Sequence, residues 1–304
     1  MAAAGMFEAL SGFAVRHLPR KQLLTLRDHY HRVRKQLFPL MRLLYGTFDV
    51  DDLRRHLEEN VGNEYEILMV HTSVNHMLPM YTGTPIALMQ MLIDFCGPQR
   101  TLAMPAFYLG DPQLDDVVES FRRNALFDVR RAPSQMGIVT ELFRRSKGAR
   151  QSLHPTHRIA ALGPLAERLT QGHEFAATPC GSGTPFEFMA RHETCILGIG
   201  KPFEVLSQVH HVEDLLGEEF PVPHSVSSVP VVLRDSERIE RTYELRWRRF
   251  KWNRNMWKLR EIMDGSKLRE WDFHHVPLFA ARARDVTEAL VKAARDGITL
   301  YVEK

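Results

Sequence analysis

Hydrophobic positions near the start of the chain recur at helical spacing. Leu23, Leu26, Tyr30, Val33 and Leu37 share one face until Pro39 interrupts the run. Lys and Arg fill many of the positions between, so residues 1–46 read as a basic helical appendage. An apolar stripe of this kind is expected to pack on its own domain or on a second copy of the chain. Docking on a membrane surface or a partner is the alternative. From residue 47 the period changes, and short apolar runs alternate with amphipathic ones. Residues 49–59 predict a helix with acidic residues in its first turn. Residues 66–74, EILMVHTSV, predict a buried strand. Thr84 and Pro85 open a helix as N-cap and first-turn proline, and Gly97 and Pro98 close it. Residues 101–107 predict the next strand, which completes a strand–helix–strand unit of an α/β fold.

The alternation continues to the end of the chain. Ser134 predicts the N-cap of a helix over SQMGIVTELFRR, and RIAALG predicts a strand. Residues 184–187, TPFE, carry a capping-box signature with proline at the first helical position. CILGIG predicts another buried strand, and residues 204–217 a helix. Strands follow Pro221. In RTYELRW, Tyr243, Leu245 and Trp247 alternate, and the step to Phe250 and Trp252 marks a bulge or a strand end. A helix over 286–295 and a short strand in ITLYVEK close the chain. No repeat or linker divides residues 47–304, which are read as one domain behind the appendage.

Composition narrows the class. With 304 residues, 44% hydrophobic and 25% charged, the chain suits a soluble globular protein with a large core. A formal charge of +3 does not by itself imply nucleic acid. Three cysteines, Cys96, Cys180 and Cys195, lie far apart with no CxxC pair, which argues against a disulfide framework or a structural zinc. Cys96 and Cys195 sit in apolar runs and are expected to be buried. No run reaches the ~18 apolar residues of a membrane span, so no integral membrane segment is expected. The first residues lack a basic n-region and carry Glu8, so a cytoplasmic location is expected. Dinucleotide GxGxxG, P-loop, GxSxG, HExxH and EF-hand motifs are all missing.

Three constellations carry chemistry. His154 precedes Pro155, which holds its backbone extended before a strand. A histidine there suits proton removal from an amine, or is a plain loop residue. His210, His211, Glu213 and Asp214 lie within one predicted helix, and His210 and Glu213 share a face, with Val205, Val209, Val212 and Leu216 turned to the core. They read as a carboxylate orienting a histidine, as metal ligands, or as a solvated polar face. HTSVNHM, after a buried strand, suits binding of a carbonyl or phosphate oxygen, or is a polar loop.

Taken together, the motifs resemble the antibiotic N-acetyltransferase family, whose best-known members are the aminoglycoside 3-N-acetyltransferases. The likeness runs from about Phe48 to the C-terminus. It rests on the strand ending in HTSV, on GPQRTLAMPAF, on RRAPSQMGIVTELFRRSKGARQSLHPTHRIAALGPLAERL, on GSGTPFEFMARHETCILGIG and on HHVED, in that order. The resemblance implies an α/β fold of mixed β-sheets flanked by helices, distinct from the GNAT fold. It implies acetyl-CoA as co-substrate, an amino group of an amino sugar as acceptor, and direct transfer. Carried over by position, His154 is the catalytic histidine and Glu213 its carboxylate. His71, Thr72, Ser73 and Val74, with Ser134, Gln135, Met136 and Gly137, form the CoA-binding wall. His157, His210, Trp247, Arg249 and Trp252 are the expected acceptor contacts. Arg158 departs from the family's usual serine, Gln151 from its arginine, and residues 1–46 have no counterpart. No metal is expected, because a His–carboxylate pair suffices for the base.

Charge points to the acceptor. RWRRFKWNRNMWKLR, residues 246–260, has seven basic residues and no acidic one, with three of the four tryptophans. Aromatic faces stack on sugar rings while Arg and Lys pair with phosphate. The expected acceptor is therefore a neutral or phosphate-bearing amino sugar, such as a nucleotide-linked precursor of a surface polysaccharide, rather than a polycationic aminoglycoside. A solvated basic face over packed tryptophans and a nucleic-acid site are the alternatives weighed, and no nucleic-acid partner is expected. A catalytically silent sugar- or partner-binding member, or a transferase using another acyl-CoA, is the competing function. A homodimer is the oligomer the appendage would serve.

Overall fold

A computed structural model describes residues 35–114 and 116–303. Its strands, in chain order, are β1 (Ile67–Thr72), β2 (Thr101–Pro105), β3 (Leu126–Asp128), β4 (Arg150–Gln151), β5 (Ile159–Leu162), β6 (Thr194–Ile199), β7 (His224–Arg234), β8 (Glu240–Phe250), β9 (Asn253–Arg254), β10 (Leu268–Phe273), β11 (Val276–Arg282) and β12 (Tyr301–Val302). Seven of them form one mixed sheet in the order β10-β11-β6-β1-β2-β5-β4. The centre is parallel, with β1 between β6 and β2, and antiparallel strands finish both edges.

β1 shows why the sheet is covered on both sides. Its residues are all buried, but they alternate between two cores. Ile67 and Met69 join one with Ala103 and Ile196, closed by helices Pro185–Arg191, Val209–Leu216 and Ala283–Arg295. Leu68 and Val70 join the other with Leu102 and Leu197, closed by helices Val50–Val61, Pro85–Cys96 and Ile138–Phe143. An apolar run without alternation is what such a doubly covered strand requires. A second sheet, β3-β7-β8, packs Val229, Val231, Tyr243 and Leu245 against Phe121 of helix Val117–Arg123. The mixed α/β class read from the sequence is the class found.

Element by element the outcome is mixed. Asp49 caps Val50–Val61 in a reciprocal box with Asp52, and the Thr84 hydroxyl accepts from the Ala87 N–H ahead of Pro85–Cys96. The strand read over 66–74 ends at Thr72, and Val74 begins a four-residue helix, Val74–Met77. Ser134 is not an N-cap: Gly137 is, with φ +111°, and the Ser134 N–H donates to the Glu141 carboxylate at 2.6 Å. At Pro185–Arg191 the box does not close. The Thr184 hydroxyl donates to Gly181 O, and Glu187 accepts from the Gly183 N–H instead. The helix read over 204–217 is a 3-10 turn, Phe203–Val205, followed by Val209–Leu216. The bulge or end foreseen after Trp247 is a strand end, since β8 pairs in unbroken register to Phe250. Cys96 and Cys180 are buried and Cys195 is half-buried, all as free thiols.

Candidate active site

The site opens where the parallel strands end. There a cleft of about 270 Å³ is lined by His71, Thr72 and Ser73 after β1, by Pro105 and Phe107 after β2, and by Lys201, Val205 and Ser207 after β6. Gln135, Met136 and Gly137 close its other side beside Thr140. Six of the eight residues expected on the CoA wall therefore face one cleft. Val74 does not, because it packs into the second core. Ser134 lies behind the wall, its hydroxyl accepting from the Met136 N–H at 3.2 Å. Sequence reading missed Lys201 and Ser207. Lys201 is the charged residue lining the cleft, and burial pulls its ammonium below the usual lysine value. The signal for it was available: it follows the apolar strand CILGIG directly. His71 is buried, and burial together with the Lys201 charge holds it near pKa 4.

Phe107 connects the cleft to a cluster of rings. Its ring lies 4.8 Å from that of His157, which in turn lies 5.6 Å from His210 and 5.8 Å from Trp247. His210 Nδ1 meets Glu213 Oε2 at 3.1 Å, as the three-residue helical spacing requires. Arg254 Nη2 donates to both Glu213 oxygens at 2.5 and 2.7 Å, and the Tyr301 hydroxyl donates to Oε1 at 2.9 Å. A two-strand ladder places these partners, because β9 and β12 pair with Arg254 opposite Tyr301. Burial alone would raise the Glu213 carboxyl. The His210 hydrogen bond and charge, Arg254 and Tyr301 outweigh it and hold the carboxyl below its ordinary value. The His210 side chain keeps 30% of its exposure, against 7% for Glu213.

His154 is differently placed. It is fully buried, and its Nδ1 accepts the backbone N–H groups of Thr156 and His157 at 3.1 and 3.0 Å. Its Nε2 meets the Tyr243 hydroxyl at 3.1 Å, and that hydroxyl donates to Ala176 O. The network assigns the proton to Nε2. The ring stacks on His173 at 4.5 Å. Burial, then the neighbouring His173 and His157, keep it well below the usual histidine value. The expected pairing of His154 with Glu213 is thus not made. The turn after Pro155 folds two amides over the nitrogen that a carboxylate would need.

The other expected contacts divide. Trp247 stands beside His157, and His157 joins the cleft to His210. Trp252 packs against the first core. Arg249 turns to Asp116 in an ion pair. His211, read with the polar face, is buried with Nδ1 2.6 Å from Cys180 O, and Asp214 accepts from the Cys180 N–H at 2.9 Å while facing Arg248 at 3.7 Å. Arg158, the departure in the HPTH segment, has a structural post. Its buried guanidinium donates to Ala106 O, Val129 O and Ala132 O at 2.8, 2.9 and 2.8 Å. Burial without a paired carboxylate pulls it down to about 9. Among the described residues, no three His, Cys, Asp or Glu side chains gather as metal ligands.

Comparison with known proteins agrees with this architecture. The family model described as aminoglycoside 3-N-acetyltransferase matches residues 69–295. Aminoglycoside N(3)-acetyltransferase III of Salmonella sp is 30% identical over 160 residues, which cover 49% of this chain and 54% of that protein. Aminoglycoside N(3)-acetyltransferase VII of Streptomyces paromomycinus is 28% identical over 194 residues, covering 61% and 64%. The chain therefore spans about half the length of the first of these relatives. Among solved structures, AAC-VIa bound to sisomicin aligns with a TM-score of 0.66 at 19% identity, over 83% of this chain and 99% of that one. AAC-IIIb in binary complex with CoASH aligns with a TM-score of 0.65 at 20% identity, over 83% and 98%. These two show the same fold. With the family model covering most of its length, the chain belongs to the aminoglycoside 3-N-acetyltransferase family.

Proposed function

We propose that the protein transfers an acetyl group from acetyl-CoA to an amino group of an amino sugar, with His210 as the base and Glu213 as its carboxylate. The observation that carries this reading is the continuity from the cleft through Phe107 and His157 to the half-exposed His210, whose Nδ1 is already on Glu213. The cleft fits the donor. Lys201 provides a cation for a phosphate, Thr72, Ser73 and Ser207 provide hydroxyls, and Phe107, Met136 and Val205 an apolar wall. When bound, acetyl-CoA supplies the thioester carbonyl and the thiol leaving group. An amine attacks such a carbonyl only when unprotonated. With Nδ1 turned to Glu213, the lone pair of His210 is on Nε2, which lies 3.5 Å from Arg254 Nη1. The amine takes the place of that long contact to give up its proton, and the Glu213 carboxylate stabilises the imidazolium that results. His154 is ill suited to that role, since it is fully buried and its Nδ1 is capped by two backbone amides at 3.1 and 3.0 Å, whereas the His210 side chain keeps 30% of its exposure. It acts as a positioning residue that fixes the turn carrying His157.

For the acceptor, the favoured class is a neutral or phosphate-bearing amino sugar such as a nucleotide-linked one, entering beside Trp247 and His157. Three carboxylates bordering the β8–β9 stretch support it. Glu213, Asp214 and Asp116 each already face an arginine, Arg254, Arg248 and Arg249 respectively. A polycation would have to displace those arginines to be bound. The test is turnover of acetyl-CoA on a panel of amines in competition, at two salt concentrations. Nucleotide-linked amino sugars are expected to be preferred. Efficient acetylation of sisomicin-like polycations with none of nucleotide-linked sugars overturns the acceptor assignment. No turnover on any amine, with acetyl-CoA bound, overturns the transferase reading itself.

A further inference from the structure

Two features lie away from the candidate active site. One is the described part of the appendage, Phe38–Tyr45, which packs on the body through Met41 and through Tyr45 stacked on His275, while residues 1–34 lie outside the described residues. The other is a second cleft, of about 330 Å³, at the opposite end of the main sheet. β1 and β6 begin there, with Thr194 beside Ile67, and β11 ends there, with Arg282 beside Cys195. Its size is that of a small-molecule pocket. Two hydroxyls in its lining are left unanswered by the chain. The Thr194 and Tyr65 residues are 2% and 7% exposed, and neither hydroxyl has a hydrogen-bond partner among the described residues. A buried hydroxyl without a partner is costly, and it is kept where something outside the chain can answer it.

Charge selects the ligand. Three cations line this cleft: Lys267 just before β10, Arg269 on it, and Arg282 at the end of β11. Lys267 meets Asp285 at 3.2 Å, and Arg282 gives Nη1 to Glu193 at 2.5 Å with Glu64 3.9 Å away. The Glu64 side chain is 90% exposed and turns to solvent. Arg269 donates to Asn60 O at 2.9 Å and rests on the Trp271 ring, and among the described residues it pairs with no carboxylate. Burial pushes the Cys195 thiol up to about 11, and the Arg282 and Arg269 charges pull against it, so both cations bear on one part of the cleft wall. Helix Ala283–Arg295 starts beside them with no side chain capping its first turn, which adds free amides and the positive end of its dipole. Cations, amides and hydroxyls all suit anionic oxygens, and a phosphate carries enough of them to use the set together. Val61 and Ala280 leave an apolar wall for an organic portion. We infer that this cleft is a second binding site, which takes a small phosphate-bearing molecule through Arg269, Arg282, Lys267 and the Thr194 hydroxyl.

The experiment is calorimetric titration of the full chain with pyrophosphate and with glucose 6-phosphate. Saturable binding of at least one of them is expected, with a dissociation constant below about 1 mM. Arg269→Gln is expected to weaken it at least about tenfold, since it removes the cation that no carboxylate neutralises. Thr194→Val is expected to weaken it about threefold or more, while the melting temperature holds, because this hydroxyl has no partner in the chain to lose. Lys201→Gln, in the cleft at the other end of the sheet, is expected to keep the binding. Absence of saturable binding to either compound overturns the inference. So does unchanged affinity in Arg269→Gln, or, should that variant melt early, unchanged affinity in Thr194→Val. Loss of binding in Lys201→Gln shows that the phosphate sits in the other cleft and overturns it too.

Discussion

Glu213 is gripped from three sides, by His210, Arg254 and Tyr301, and that grip sets its charge. A lone buried carboxylate would be protonated near neutrality, because burial disfavours its charge. His210, Arg254 and Tyr301 hold the Glu213 carboxyl below its ordinary value, which is what the proposed mechanism needs for it to stabilise a protonated His210 during transfer. Replacing His210 with Ala is expected to lower kcat by about 10²- to 10⁴-fold, the usual contribution of a positioned base, while acetyl-CoA binding is kept. Glu213→Gln is expected to fall in the same range, and Tyr301→Phe to lose less. His154→Ala should instead lower the melting temperature, since it empties a buried position and frees two amides. Steady-state kinetics with thermal melts separate the two. Full turnover in His210→Ala, together with a stable but inactive His154→Ala, would return the base to His154.

At the scale of elements, Arg158 holds two sheets in register. Ala106 follows β2 of the main sheet, while Val129 and Ala132 follow β3 of the small one. One guanidinium satisfies carbonyls from both, and it rests on the Phe127 ring at 5.5 Å. Arg158→Ser, which restores the residue usual in the family at this position, would leave three carbonyls without their donor in a dry setting. The expected destabilisation is about 3 kcal/mol or more, as for loss of buried bonds to a charged group. Denaturant unfolding measures it. A change below about 0.5 kcal/mol, the scale of a surface substitution, would mean that water or a shifted chain replaces the tie. The small sheet carries Tyr243 and Trp247, so acceptor KM should rise along with the instability.

Across the whole molecule, buried histidines link stability to acidity. His71 and His173 are buried and each sits near pKa 4. For both, burial is the leading cause; the Lys201 charge adds to it at His71, and a hydrogen bond to Pro179 O opposes it at His173. Their folded values lie below the unfolded value of about 6.5. Their neutral forms therefore favour the native state fully above pH ~6.5. That contribution is lost as pH falls towards 4, because the unfolded chain binds the protons first. A loss on the order of 2 kcal/mol for each by pH 5 follows from linkage. Melting curves from pH 7.5 down to about 4.5 should shift steadily downward, and His173→Phe should flatten part of that slope. A flat profile would mean that these histidines charge without opening the fold.

What the sequence determined by itself was local and periodic. Unbroken apolar runs could only be doubly covered strands, and Thr84-Pro85 and Asp49 could only open helices, because caps and periods act within a few residues. Motif order was enough for the family, and the strand ends it marked as a CoA wall do converge on one cleft. Tertiary structure decided which histidine stands with Glu213. HHVED places His210 one turn from Glu213, and HPTH lies far away in sequence. Only the fold reveals that the turn after Pro155 buries His154 under its own amides. Pairing of the basic stretch was likewise invisible. Arg248, Arg249, Arg254 and Arg260 meet Asp214, Asp116, Glu213 and Glu270, contributed by three other segments. Charge along a chain is summed by sequence, but charge at a site is set by what the fold brings within a few ångströms.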